Sequence, residues 1–186
     1  MFGKIFGSGK KKSEETANAT LQSLRTTIDN YIGYENVKNR KQTDQGIRKY
    51  WYDLVLQILD NYSKVQNELM KGQLLSTWPA SNAIINNLKE LRTLLSSDVY
   101  RHSTFFETPD VSDSLDIEVI YVLESETILE MRDILGEIEK VKKKLDEMEL
   151  LDIEKDVFRI KDMVDEVNTT ISDRAELIAS FELVGI

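Results

Sequence analysis

Apolar residues recur along most of this chain at intervals of three and four, the repeat of a single helix face. Leu21, Leu24, Ile28 and Tyr31 mark the first such face, and Ser13 ahead of Glu14 and Glu15 supplies an N-cap signal, so a helix is predicted over 14–32. The polar stretch from Gly33 to Gly46 reads as a loop or a weakened helical segment. Ile47, Trp51, Leu54, Ile58, Tyr62, Val65 and Leu69 form a second face that ends near Gly72. Trp78 and Pro79 punctuate the chain, because proline is well tolerated only in the first turn of a helix. A third, shorter helix is carried by Ile84, Ile85, Leu88, Leu91, Leu94 and Leu95, and the Ser/Thr/Asp-rich stretch 100–114 around Pro109 reads as a connection.

Leu115 to Leu123 is β-branched enough to suit a short strand, but it passes into Ile128, Met131 and Ile134 without a turn signal, which favours helix. Two heptad tracks follow, Met131, Ile134, Ile138, Val141, Leu145, Met148 and then Ile153, Val157, Ile160, Val164, Val167, Ile171. The step of five from Met148 to Ile153 predicts a bend or a rotated stripe near Leu150 and Leu151. Leu177, Ile178, Phe181, Leu183, Val184 and Ile186 close the chain with an apolar cluster that wants a partner surface. The pattern predicts an all-α fold of about five helices, packed as an antiparallel bundle or coiled-coil hairpin behind a short, flexible N-terminal leader.

A length of 186 residues suits one domain with a real core, and two would be a squeeze. The organisation expected is therefore a leader over 1–12 and one helical domain over 13–186. The net charge of -9 hides a polarity, because residues 1–107 carry 15 basic and 11 acidic side chains, whereas residues 108–186 carry 9 and 22. The domain thus has a basic front, 13–107, and an acidic, heptad-bearing back, 108–186. A basic front suits an anionic surface, and an acidic back suits covering that front when it is unengaged. Uneven solvated faces of a helical protein explain the same polarity without any partner.

With no cysteine and one histidine, the chain lacks a thiol nucleophile, a thiolate metal site and most imidazole chemistry, which argues against an enzyme. Gly7, Ser8, Gly9 and Lys10 approximate a phosphate loop, but Lys4 stands where its first glycine is needed and Lys11 where Ser or Thr is needed. His102 has Val99 three positions before it, so a di-metal Glu-x-x-His site is unavailable, and the residue reads as exposed loop. Asp110, Asp113 and Asp116 lack the glycine and final glutamate of a calcium loop. Glu137, Glu139, Glu147, Glu149 and Glu154 mostly fall off the apolar stripe and serve solubility. Tyr50, Trp51 and Tyr52 beside Arg48 and Lys49 resemble a nucleic-acid patch, yet Trp51 lies on the core stripe, so packing is the better reading. No cofactor, metal, nucleic acid or small-molecule substrate is expected.

The leader asks for a functional account. If residues 1–7 coil on a surface, Phe2, Ile5 and Phe6 share one face, and Lys4 with Lys10, Lys11 and Lys12 meets headgroups. Each apolar side chain contributes about 1.5 to 3 kcal/mol when fully buried, and each lysine adds about 1 kcal/mol near an anionic leaflet. Ordering seven residues that include two glycines offsets much of this, so one copy binds weakly and strong attachment needs many copies. The rival reading is a frayed terminus that docks on its own core.

Phe2, Gly3, Lys4, Ile5, Phe6 and Gly7, then a lysine-bearing spacer, then Leu21, Gln22, Ser23, Leu24 and Arg25 resemble the opening of ESCRT-III subunits of the charged multivesicular body protein family. The resemblance covers these first residues and the charge polarity. It implies insertion of Phe2, Ile5 and Phe6 into membrane, lysine contacts to lipid, a polymerising helical hairpin and an acidic half that folds back. Gly33, Gly46, Gly72 and Pro79 interrupt the region where that family has two long basic helices.

The expected function is non-enzymatic and cytoplasmic: peripheral binding to anionic membrane through the leader, with self-assembly into homo-oligomers that remodel membrane. Met131, Ile134, Ile138, Val141, Leu145, Ile153, Val157, Ile160, Val164 and Phe181 are the expected self-association or partner residues. The alternative is a soluble coiled-coil adaptor or regulatory protein with an idle leader, whose helical protein partner covers Phe181 to Ile186 or an exposed heptad stripe.

Overall fold

A computed structural model describes residues 18–97, 103–107 and 114–180, with side chains described from Ile117 in the last segment. Among the described residues the fold is all-α, with five helices and no strand. Helix α1 covers 18–27, α2 Val37–Lys71, α3 Trp78–Ser96, α4 Ser114–Asp146 and α5 Ile153–Ala179. Short 3-10 turns lie at Leu75–Thr77 and Thr104–Phe106.

Of the two readings of the stretch from Gly33 to Gly46, loop or weakened helical segment, helix holds from Val37, where α2 starts and runs unbroken for 35 residues. Asn36 supplies the start signal: its side-chain oxygen accepts the Lys38 N–H at 3.0 Å. The Leu115 to Leu123 stretch is helical, as the missing turn signal implies. Pro79 stands in the first turn of α3.

Helices α2 and α4 end in the same way. Leu74 N–H bonds to Leu69 O at 3.1 Å and Gln73 N–H to Met70 O at 3.1 Å, while Glu149 N–H bonds to Lys144 O at 2.8 Å and Met148 N–H to Leu145 O at 3.2 Å. These are Schellman closures with a left-handed residue at the turn, Gln73 (φ 56) and Met148 (φ 58). Gly72, expected to end α2, is thus one residue short of the left-handed position.

The chain forms two compact units, and each takes residues from both the basic front and the acidic back. Unit one holds the described parts of Met1–Ile47, Tyr100–Ser125 and Arg174–Ile186. Its buried apolar residues include Leu24, Ile28, Tyr31, Tyr34, Phe105, Ile120, Tyr121 and Ile178. Ser103 Oγ accepts the Phe105 N–H at 3.3 Å and donates to Ile178 O at 2.7 Å, which ties the Phe105 turn to the end of α5.

Unit two comprises Arg48–Val99 and Glu126–Asp173. Here α2 and α3 are antiparallel: Arg48 donates to Leu95 O at 2.8 Å near one end, and Gln66 donates to Asn82 at 3.1 Å near the other. Helices α4 and α5 form a second hairpin, with Lys144 to Asp156 at 2.6 Å and Arg159 to Glu137 at 3.4 Å. Asn87 to Asp165 at 2.6 Å joins α3 to α5, and Arg132 to Tyr50 Oη at 2.7 Å joins α4 to α2. Trp51 is buried on the core stripe, as its spacing predicts.

Candidate functional site

The membrane-facing residues expected in the leader, Phe2, Lys4, Ile5, Phe6, Lys10, Lys11 and Lys12, lie outside the described residues, as do His102 and Phe181. The heptad residues are described, and the structure uses them differently from the expectation. Met131, Ile134, Ile138, Val141, Ile153, Val157, Ile160 and Val164 are all buried in the folded chain, and Leu145 is half-buried. A stripe at this spacing meets the nearest complementary stripe, and the tight turn after Asp146 brings α5 of the same chain against α4. It therefore offers no free face to a partner. Glu137, expected off the stripe, is also buried, where Lys140 at 2.6 Å and Arg159 at 3.4 Å neutralise it.

Sequence reading missed a polar network inside unit one. Arg174 on α5 and Glu124 on α4 are both fully buried and lie 2.7 Å apart, and Arg174 also reaches Asp44 on α2 at 2.7 Å. Tyr34 Oη donates to Glu124 at 2.6 Å and accepts from Arg174 at 2.8 Å, and Tyr31 Oη donates to the second Glu124 oxygen. Tyr121 Oη accepts the Tyr34 N–H at 2.7 Å, and its ring stacks on that of Tyr34 with centroids 5.7 Å apart. Arg40 extends the cluster: it donates to Tyr34 O at 2.7 Å and Phe105 O at 2.6 Å, with its guanidinium 4.8 Å from the Phe105 ring centroid.

A turn positions these groups. Gly33 has φ 117, a conformation that favours glycine, and a Cβ there would lie 2.5 Å from Glu35 Oε2 and 2.9 Å from Tyr121 Oη. Thr43 Oγ1 clamps the turn to α2, since it accepts the Gly33 N–H at 3.1 Å and donates to Gly33 O at 3.1 Å. Arg25 at the end of α1 donates to Ile32 O at 2.8 Å. Tyr31 and Tyr34 are thereby aimed at Glu124.

Burial pushes the Glu124 carboxyl above the usual glutamate range, and Arg174 and the two tyrosine donors pull it back. Burial likewise pushes the Tyr31, Tyr34 and Tyr121 hydroxyls up, so all three stay protonated as donors. Both Glu124 oxygens are engaged by these partners, and the network ties α2, α4 and α5 together. Among the described residues no group of three or more His, Asp or Glu could hold a metal ion.

No family model, curated protein or solved structure matches this chain. In unit two an open cleft of 490 Å³ lies between the turn after α2 and the turn after α4. Leu74, Leu150, Leu151, Ile153 and Phe158 supply its apolar lining, and Asp152, Glu154 and Lys155 its charges. Leu151 is 82% exposed and Met148 78%, far more than side chains of their kind usually show, and Leu75, Trp78 and Phe158 are exposed as well.

Proposed function

We propose that this chain is a non-enzymatic, cytoplasmic helical protein that attaches peripherally to anionic membrane through residues 1–12 and self-associates, in the manner of the ESCRT-III subunits its opening resembles. The observation that carries the reading is the leader's sequence: Phe2, Ile5 and Phe6 at helical spacing beside Lys4, Lys10, Lys11 and Lys12, with no acid among them. Two observations accompany it. No helix among the described residues is long and apolar enough to cross a membrane, which suits peripheral attachment. The exposed leucines, methionine and phenylalanine of unit two offer an apolar contact surface.

Co-sedimentation with vesicles containing phosphatidylserine tests the proposal. Binding is expected at low salt, with a fall at high salt and after Phe2→Asp or Phe6→Asp, because the attraction combines screened charge with apolar insertion. Lack of binding at low salt overturns it. The second reading, an adaptor for a helical protein partner, draws support from the same exposed surface at the α4–α5 turn and no longer from the heptad stripe, which the core has taken.

A further inference from the structure

We infer that the apolar cleft of unit two receives the leader of a second copy of this chain, so that self-association proceeds head to tail. The cleft joins apolar walls, Leu74, Leu151 and Phe158, to a charged rim of two acids, Asp152 and Glu154, and one base, Lys155. The stretch 146–156, which includes the lining residues Leu150 to Lys155, holds six acids and one base. Two of those acids are engaged, Asp156 with Lys144 at 2.6 Å and Glu147 with Lys143 at 3.8 Å. Asp152 and Glu154 then set the sign of the rim against Lys155, and Asp146 and Glu149 precede the lining segment closely in sequence. An occupant must be apolar on one face and basic on the other.

Residues 1–12 carry those two properties together: three large apolar side chains at positions 2, 5 and 6, four lysines, and no acid. The chain's other apolar end, Phe181 to Ile186, has Glu182 and no basic residue, so it fits the acidic rim worse. A leader seated on a neighbour is a heterologous contact, which leaves a free cleft at one end and a free leader at the other and so propagates. The contact is an association of the chain away from the membrane, goes beyond the multi-copy attachment of the proposed function, and does not depend on lipid binding. The same apolar residues cannot occupy cleft and bilayer together, so vesicles compete with head-to-tail association.

A labelled peptide of residues 1–12, titrated with the full-length chain at low and high salt, tests the contact, together with sedimentation velocity of the chain across a concentration series. The peptide is expected to bind, more weakly at high salt, and the chain to associate as concentration rises. Leu151→Asp with Phe158→Asp is expected to weaken peptide binding about tenfold or more and to leave the chain monomeric. Glu149→Lys with Glu154→Lys is expected to weaken peptide binding and flatten its salt dependence. Circular dichroism checks that the variants fold, and Leu151→Ser, at the most exposed of the apolar positions, replaces the first pair if it does not. Absence of peptide binding at low salt overturns the inference, as does binding that the cleft substitutions leave unchanged. A chain that stays monomeric at every concentration, its own leader held in the cleft, overturns it too. Vesicle binding by the Leu151→Asp, Phe158→Asp chain reports on the membrane reading separately, since that variant retains its leader.

Discussion

Arg174 brings a guanidinium into unit one with no exposure to solvent, and two carboxylates, Glu124 and Asp44, meet it there. Removing the cation leaves both acids buried without their shared counter-charge, whereas neutralising one acid leaves Arg174 paired with the other. Arg174→Met is therefore expected to cost about 3–5 kcal/mol. Glu124→Gln, which can still accept from the tyrosines, should cost about 1–3 kcal/mol. Urea unfolding of the two variants checks the order, and equal losses would contradict the account of the network. Glu130 in unit two makes a different case, because burial first, and then the charges of Glu166 and Glu126, push its carboxyl above the usual glutamate range. The folded chain then holds this proton more tightly than the unfolded one. The contribution to stability is present below the ordinary glutamate pKa and is lost as pH rises through the raised folded value. Glu130→Gln should melt higher than the parent at neutral pH, with the advantage shrinking as pH falls towards the glutamate range. Thermal unfolding followed across that interval checks the slope, and a constant advantage would count against it. The network had a trace in the sequence. Glu124 stands at i+3 and i-4 from Tyr121 and Ile128, and Arg174 at i+3 from Ile171, so each occupies an apolar stripe position that a charge would otherwise avoid.

The existence and type of the helices were legible because their apolar faces are long and regular, and Leu24, Ile58, Leu88 and Ile160 are all buried as that regularity requires. The beginning of α2 was not, because Val37 to Gly46 carries few apolar residues, and what holds it is polar: the Asn36 cap, Thr43 on the Gly33 turn and buried Arg40. Periodicity cannot register an element fixed by hydrogen bonds. The two glycines of most consequence behave in opposite ways. Gly33→Ala introduces a Cβ at φ 117 against Glu35 and Tyr121, and a loss of about 1–3 kcal/mol is expected from the strained backbone. At Gly136, inside α4, a Cβ would meet nothing within 4 Å, so Gly136→Ala should stabilise by about 0.5–1 kcal/mol through helix propensity. Opposite shifts in melting temperature would support both readings, and a stabilised Gly33→Ala would contradict the role given to that turn.

At the scale of the whole chain, the charge polarity was plain in the sequence, yet its dividing line near residue 107 is not a boundary of the fold, since each compact unit draws on both halves. Linear composition records how charge is distributed along the chain and not which segments meet. The step of five between the heptad tracks marked a break near Leu150 and Leu151, and the chain does turn there, between α4 and α5; that the Schellman closure at Met148 leaves both leucines exposed beside the turn after α2 had no signal in the spacing. The units also make separate claims on stability. Tyr31, Tyr34, Asp44, Glu124 and Arg174 all belong to unit one, whereas α3 belongs wholly to unit two. Arg174→Met should therefore promote opening of unit one in particular, and each 1.4 kcal/mol it loses raises amide exchange there about tenfold. Hydrogen exchange resolved by residue is expected to show faster exchange over 18–34 and 117–124, with α3 rates close to those of the parent. Equal acceleration in α3 would mean that the two groups of residues open as a single cooperative body, and that the network stabilises the whole chain and not the unit that contains it.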